Sequence, residues 1–151
     1  MAESIHEGPP DPSQAFEGGC HCGAIEFTLC TSQPPERWQV RACQCSFCRA
    51  HGARTVSDPH GSVMFRIADP SRLSRYRFAT RSADFLVCGT CGVYIAGVIS
   101  SNKGQLATVN VNAIQGLNDV PEAAPVSYEE ESSEQKKSRR EQRWTPVSGA
   151  V

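Results

Sequence analysis

Residues 18–23 read GGCHCG, and residues 88–92 read CGTCG. A CxC and a CxxC place neighbouring thiolates where they converge on one cation, and together they supply the four sulfurs of a closed, structural zinc site. The flanking glycines let the backbone take positive φ and turn its amides toward the sulfurs. The two halves are far apart in the chain, so a metal joining them would staple the first strand to the middle of a sheet. Sites of this kind contribute folding free energy on the order of 10 kcal/mol in small zinc modules. Between the halves lies a third cluster, residues 43–48, CQCSFC. It offers three sulfurs, one fewer than a closed tetrahedral site needs. The simplest partition is a structural zinc on Cys20, Cys22, Cys88 and Cys91, and an open, reactive zinc on Cys43, Cys45 and Cys48. His51 follows Cys48 by three residues and is a candidate fourth ligand, with His21 and His60 as further candidates. A histidine there would make the cluster a second structural zinc, and the protein need not then be an enzyme. If the position is open, three anionic sulfurs soften the metal and favour a sulfur ligand from the substrate. The chemistry implied is the making or breaking of a carbon–sulfur bond.

Eight cysteines would also suit a disulfide framework. The chain opens MAESIHEGPPDPSQAFEGG, with neither the basic nor the apolar region of a secretory signal. No run approaches the ~18 apolar residues of a membrane span. The expectation is a cytoplasmic protein with reduced thiols, in which clustered cysteines are metal ligands. Cysteines one residue apart would also form strained disulfides. Cys30 stands alone on an expected strand and reads as a small core hydrophobe.

Working outward, 151 residues make one domain able to bury a real core. A net charge of −1 argues against a general nucleic-acid binder. Residues 1–15, rich in Pro, Ser, Gly and acid, are expected to be a disordered tail. Residues 16–120 form the expected zinc-binding β domain. Its strands are expected at 24–30, 37–42, 62–68, 73–78, 83–88, 92–99 and 105–111, from alternating apolar residues and intervening turn residues. Trp38, Phe65, Tyr76, Phe78 and Phe85 are expected to pack in the core. Residues 121–151 are an extension: a Pro-rich link at 121–125, then a helix around 130–143. The mixed charges of Glu129–Glu131, Lys136, Lys137, Arg139 and Arg140 read as a solvated helix face with i,i+4 pairs. No Ser-His-Asp pattern, phosphate-binding glycine loop or nucleotide fingerprint appears.

The segments GGCHCGAIEF, ACQCSFCRAHG and FLVCGTCGVYIAG, over residues 17–112, resemble the glutathione-dependent formaldehyde-activating enzyme family, with all seven clustered cysteines in the family's order and spacing. Centromere protein V belongs to the same superfamily. The resemblance implies an all-β, Mss4-like fold of twisted sheets. It implies structural zinc on Cys20, Cys22, Cys88 and Cys91 and catalytic zinc on Cys43, Cys45 and Cys48. The implied activity is a carbon–sulfur lyase or synthase step that joins formaldehyde and glutathione into S-hydroxymethylglutathione, or reverses it. The expected partners are a small thiol such as glutathione and a small aldehyde, with no membrane and no nucleic acid. Residues 49–62 and 93–112 are expected to line the open site. Arg49, His51 and Arg54 are candidates for drawing in glutathione carboxylates, and His51, Tyr94 or water for donating a proton. The rival reading is a non-catalytic zinc module that binds a protein or nucleic acid, as the centromere relative suggests.

Overall fold

The computed structural model describes residues 14–117 and 119–151. Thirteen residues of the expected N-terminal tail, His6 among them, lie outside the described residues. Two β-sheets carry the fold. The smaller runs in the order β1 (Ala15–Gly19), β2 (Ile25–Cys30) and β5 (Ser62–Ile67), all antiparallel. The larger contains β3 (Arg41–Cys43), β4 (Thr55–Val56), β6 (Leu73–Tyr76), β7 (Asp84–Cys88), β8 (Tyr94–Ser101), β9 (Gly104–Asn110) and β10 (Ala124–Val126). Its order is β10-β3-β4-β9-β8-β7-β6, with β11 (Thr145–Pro146) also paired to β9.

The alternation of β2 explains why it is a strand. Ile25, Phe27 and Leu29 are buried, while Glu26 between them is exposed. They meet Val63 from the same sheet and Leu86, Ile95 and Val109 from the larger one, and this contact is the main core. Strand β8 is central and covered on both faces, so its first six residues are all buried.

Five expected strands form with small shifts of boundary, and the sixth, 24–30, forms as β2. The strand expected at 37–42 shrinks to Arg41–Cys43, after a 3-10 turn at Pro35–Arg37. Trp38 and Val40 are buried and Gln39 is exposed, so burial alternates as it does in a strand. The alternation has another cause. The Trp38 indole N–H donates to the Gln33 carbonyl at 2.9 Å, and the ring sits edge-on to Phe16 at 5.0 Å. The loop thus inserts side chains into the core, and its backbone reaches the sheet at Val40, whose carbonyl accepts the Ala124 N–H at 2.9 Å.

Two helices accompany the sheets. The six-residue α1 (Ser46–His51), not expected from the sequence, carries the second half of the CxCxxC run. The expected C-terminal helix is α2 (Ser133–Arg143), opened by a reciprocal capping box between Ser132 and Gln135. The extension beyond residue 120 returns to the larger sheet. β10 pairs parallel with β3, bringing Val126 opposite Cys43, and β11 pairs Thr145 with Ala107.

Candidate metal centre

All eight cysteines are free thiols. Seven of them gather into two groups whose sulfurs lie within 4.8 Å of one another: Cys20, Cys22, Cys88 and Cys91 in one, Cys43, Cys45 and Cys48 in the other. Cys30 is half-buried at the end of β2 and joins neither group.

In the four-sulfur group, the Cys22 Sγ lies 3.7 Å from that of Cys20 and 3.6 Å from that of Cys88. Backbone amides point at the sulfurs: Ile25 N–H at Cys20 (3.3 Å), and Thr90 and Cys91 N–H at Cys88 (both 3.4 Å). Gly23 and Gly92, at φ of 87° and 83°, make the two turns that deliver these amides. Burial opposes ionisation of Cys88, but the amides of Cys91 and Thr90 outweigh it and bring its pKa down to about 6. Cys22 moves the other way. The Ala24 amide favours its thiolate, yet burial and the Cys88, Cys20 and Cys91 thiols raise it to about 11. Four clustered thiols thus lose some protons readily and retain others, and a divalent cation is the partner that would take their place.

The three-sulfur group is built by one turn. Cys43 ends β3, and Cys45 is the N-cap of α1, its Sγ accepting the Cys48 N–H at 3.4 Å. Cys48 is buried on the helix beyond. The Cys43 thiol, then that of Cys48, hydrogen-bonds to Cys45 and lowers its pKa to about 2. Cys48 is pushed far up, by Cys43 first and then by Cys45. The donor set is all sulfur and suits zinc. Phe47, between the ligand candidates, fixes the turn. Its ring meets those of His51 (4.6 Å), Phe85 and Tyr94 (both 5.0 Å), Phe78 (5.3 Å) and Tyr76 (5.7 Å).

The three sulfurs line a cavity of about 430 Å³. No histidine or carboxylate joins their group among the described residues. His51 packs against Phe47 instead, with the rings tilted by 46°, and His21 and His60 are solvent-exposed elsewhere. The expected lining segments contribute only Thr55, Tyr94 and Thr108. Arg49 and Arg54 do not line the cavity; the Arg54 Nε donates to the Asn112 side chain at 2.8 Å. Of the aromatics assigned to the core, Phe78 and Phe85 form cavity wall, and Tyr76 is half exposed.

Arg41 and the segment around Ala79–Ala83 add further wall, and the remainder is the C-terminal segment that the sequence did not connect to the site. Val126, Tyr128, Glu129, Glu131, Lys136, Arg139, Arg140 and Trp144 all face the cavity. The charged run is therefore not a plain solvated face. Arg139 makes a two-pronged pair with Glu131 (2.9–3.1 Å), its guanidinium lying 3.4 Å from the Tyr128 ring centre. Both partners are largely buried, and Glu131 precedes the helix, so this is no i,i+4 pair. The signal that was available lay in the composition of the run: five basic residues, Lys136 to Arg143, followed by Trp144.

Two facing sheets with a four-sulfur cluster at their junction and a three-sulfur cluster in a cavity define a Mss4-like metal-binding domain. The chain belongs to the glutathione-dependent formaldehyde-activating enzyme family, whose sequence profile matches residues 15–130. A crystal structure of a Rhodobacter sphaeroides protein is similar at 32% identity, covering 73% of this chain and 99% of that one, with a TM-score of 0.51. The family match ends before α2 begins. No helix among the described residues is long and apolar enough to cross a membrane.

Proposed function

We propose that this protein is a zinc-dependent carbon–sulfur lyase or synthase acting on a thiol–aldehyde adduct, of the S-(hydroxymethyl)glutathione synthase type. The observation that carries this reading is the three-sulfur group on a cavity wall with no fourth protein ligand among the described residues. Cys43, Cys45 and Cys48 would hold the reactive zinc, and Cys20, Cys22, Cys88 and Cys91 the structural one. Residues 16–120 would be the zinc-binding β domain, and 121–151 an extension that completes its cavity.

Zinc on three sulfurs would supply the charge that keeps a substrate thiol ionised at neutral pH, where a free thiol of pKa ~8.5 is mostly protonated. In the synthetic direction the thiolate sulfur attacks the aldehyde carbon, and the carbonyl electron pair moves to oxygen. That oxygen takes up one proton, equal to the one the thiol gave up. The reverse direction breaks the same bond and returns the proton. Tyr94 would handle it. Its phenol lines the cavity, and burial first, then the charges of Cys48, Cys43 and Cys45, hold its pKa well above 10. It therefore carries its proton at neutral pH. Phe78, Phe85 and Trp144 supply apolar wall that keeps water from competing with the thiol.

Exchange of ¹³C-formaldehyde into glutathione, followed by NMR, tests the reaction. The zinc-loaded protein should accelerate exchange above the spontaneous rate, and saturating thiol should raise the sulfur count at one metal or release that metal alone. No acceleration, with unchanged coordination and unchanged zinc content, would reject the enzyme reading in favour of a binding module.

A further inference from the structure

The cavity carries more positive charge than its own residues neutralise. Arg41, Lys136, Arg139 and Arg140 line it against two carboxylates, Glu129 and Glu131. Glu131 is committed to Arg139. Neither Arg41 nor Arg140 meets a carboxylate among the described residues. The Arg41 Nη2 donates to the Ser57 hydroxyl at 2.6 Å, and the Arg140 Nη1 to that of Ser82 at 2.9 Å. These hydroxyls bring no charge. The Arg140 Nε is fully buried and has no hydrogen-bond partner among the described residues. A half-buried guanidinium left in this state is costly, and a buried N–H without an acceptor adds to that cost. A zinc on three thiolates leaves one negative charge, which offsets one of the two arginines at most.

We propose that Arg41 and Arg140 form a carboxylate-binding subsite that selects an acidic thiol over a neutral one. This rests on the reading of the cavity as a thiol–aldehyde site. The planar guanidinium fork matches a carboxylate's two oxygens. A volume of about 430 Å³ falls within the range of small-molecule sites, roughly 300–1,000 Å³. Arg140 lies on α2, beyond the stretch that matches the family, so this half of the subsite is a feature of this chain's extension. The positions combine only in the folded chain: β3 carries Arg41, and β10, paired to it, leads into the segment that ends in α2.

S-methylglutathione and its diethyl ester, titrated calorimetrically into the zinc-loaded full chain, separate this proposal from the chemistry, because neither probe has a free thiol. The acid should bind roughly ten- to a hundredfold more tightly than the ester, the range of one charge-assisted hydrogen bond. Arg140→Gln and Arg41→Gln should each remove most of that preference, weakening the acid far more than the ester. Melting curves identify any variant that fails to fold. If both fail, the acid-to-ester ratio of the natural protein decides. Equal binding of acid and ester would overturn the subsite and leave the thiol reaction standing. A preference that survives in either folded variant would also overturn it. A clear acid preference in a protein that does not accelerate formaldehyde exchange would uphold the subsite and reject the reaction.

Discussion

Cys22 and Cys88 are 66 residues apart in sequence, yet their sulfurs lie 3.6 Å from each other. The contact joins the turn after β1 to the end of β7, and so joins the small sheet to the large one. Their glycine-flanked turns aim backbone amides at the sulfurs, which prepares the site for a doubly charged cation rather than a disulfide.

Removal of that metal should therefore unfold the protein. A tight chelator in reducing buffer should lower the melting temperature steeply, and Cys88→Ser should do the same without chelator. Circular dichroism melts check both. A chelated, metal-free sample that melts as the zinc-loaded one does would show that the staple is not metal.

Cys45→Ser should behave differently. Serine is itself a favoured N-cap, so the start of α1 keeps its Cys48 amide partner. The expected outcome is a change in stability within about 1 kcal/mol, loss of one metal per chain, and loss of formaldehyde exchange. Elemental analysis and thermal melts on the same sample decide the point.

Gly97 tests the cavity's far wall. A Cβ there would lie 3.3 Å from the Trp144 ring, 3.5 Å from the Thr108 methyl and 3.5 Å from the Tyr94 hydroxyl. Gly97→Val should cost about 1–3 kcal/mol through overpacking. It should also weaken glutathione binding, since the added methyls crowd three cavity side chains, Trp144 most closely. Urea denaturation and calorimetry measure the two effects separately.

Asp84 sets a pH dependence. Its hydrogen bond from Arg77, and more weakly that from Arg75, hold its pKa below the ordinary value of 3.8. A carboxyl with a depressed folded pKa stabilises the protein above the unfolded value, and the benefit disappears as pH falls through the folded one. Both arginines are well exposed, so the contribution is small, about 0.5–1 kcal/mol. Asp84→Asn should lose that much at pH 7, and the difference from the natural protein should shrink as the pH falls below 3.8 and through the lowered folded pKa.

Much of the fold was legible because its signals are local. β2 and β5 carry their alternation within six residues each, and a Ser-x-x-Gln box marks the start of α2. What escaped was short or depended on distant partners. β10 is three residues, Ala-Pro-Val, and its proline is tolerated because the strand lies at the sheet edge. α1 is six residues inside a cysteine loop, too brief for any periodicity to register.

The sequence by itself determined which sulfurs could share a metal. Gaps of one and two residues hold Cys20 with Cys22, Cys88 with Cys91, and Cys43, Cys45 and Cys48 together whatever the remainder of the chain does, while the fold brings the first two pairs, 66 residues apart, onto one site. Only the tertiary structure decided what surrounds the second cluster. Arg41 and Arg140 reach one cavity because β10 pairs with β3 and Trp144 seats over Gly97. Such pairing is selected by the total surface buried between remote segments, and no short stretch of sequence carries that quantity.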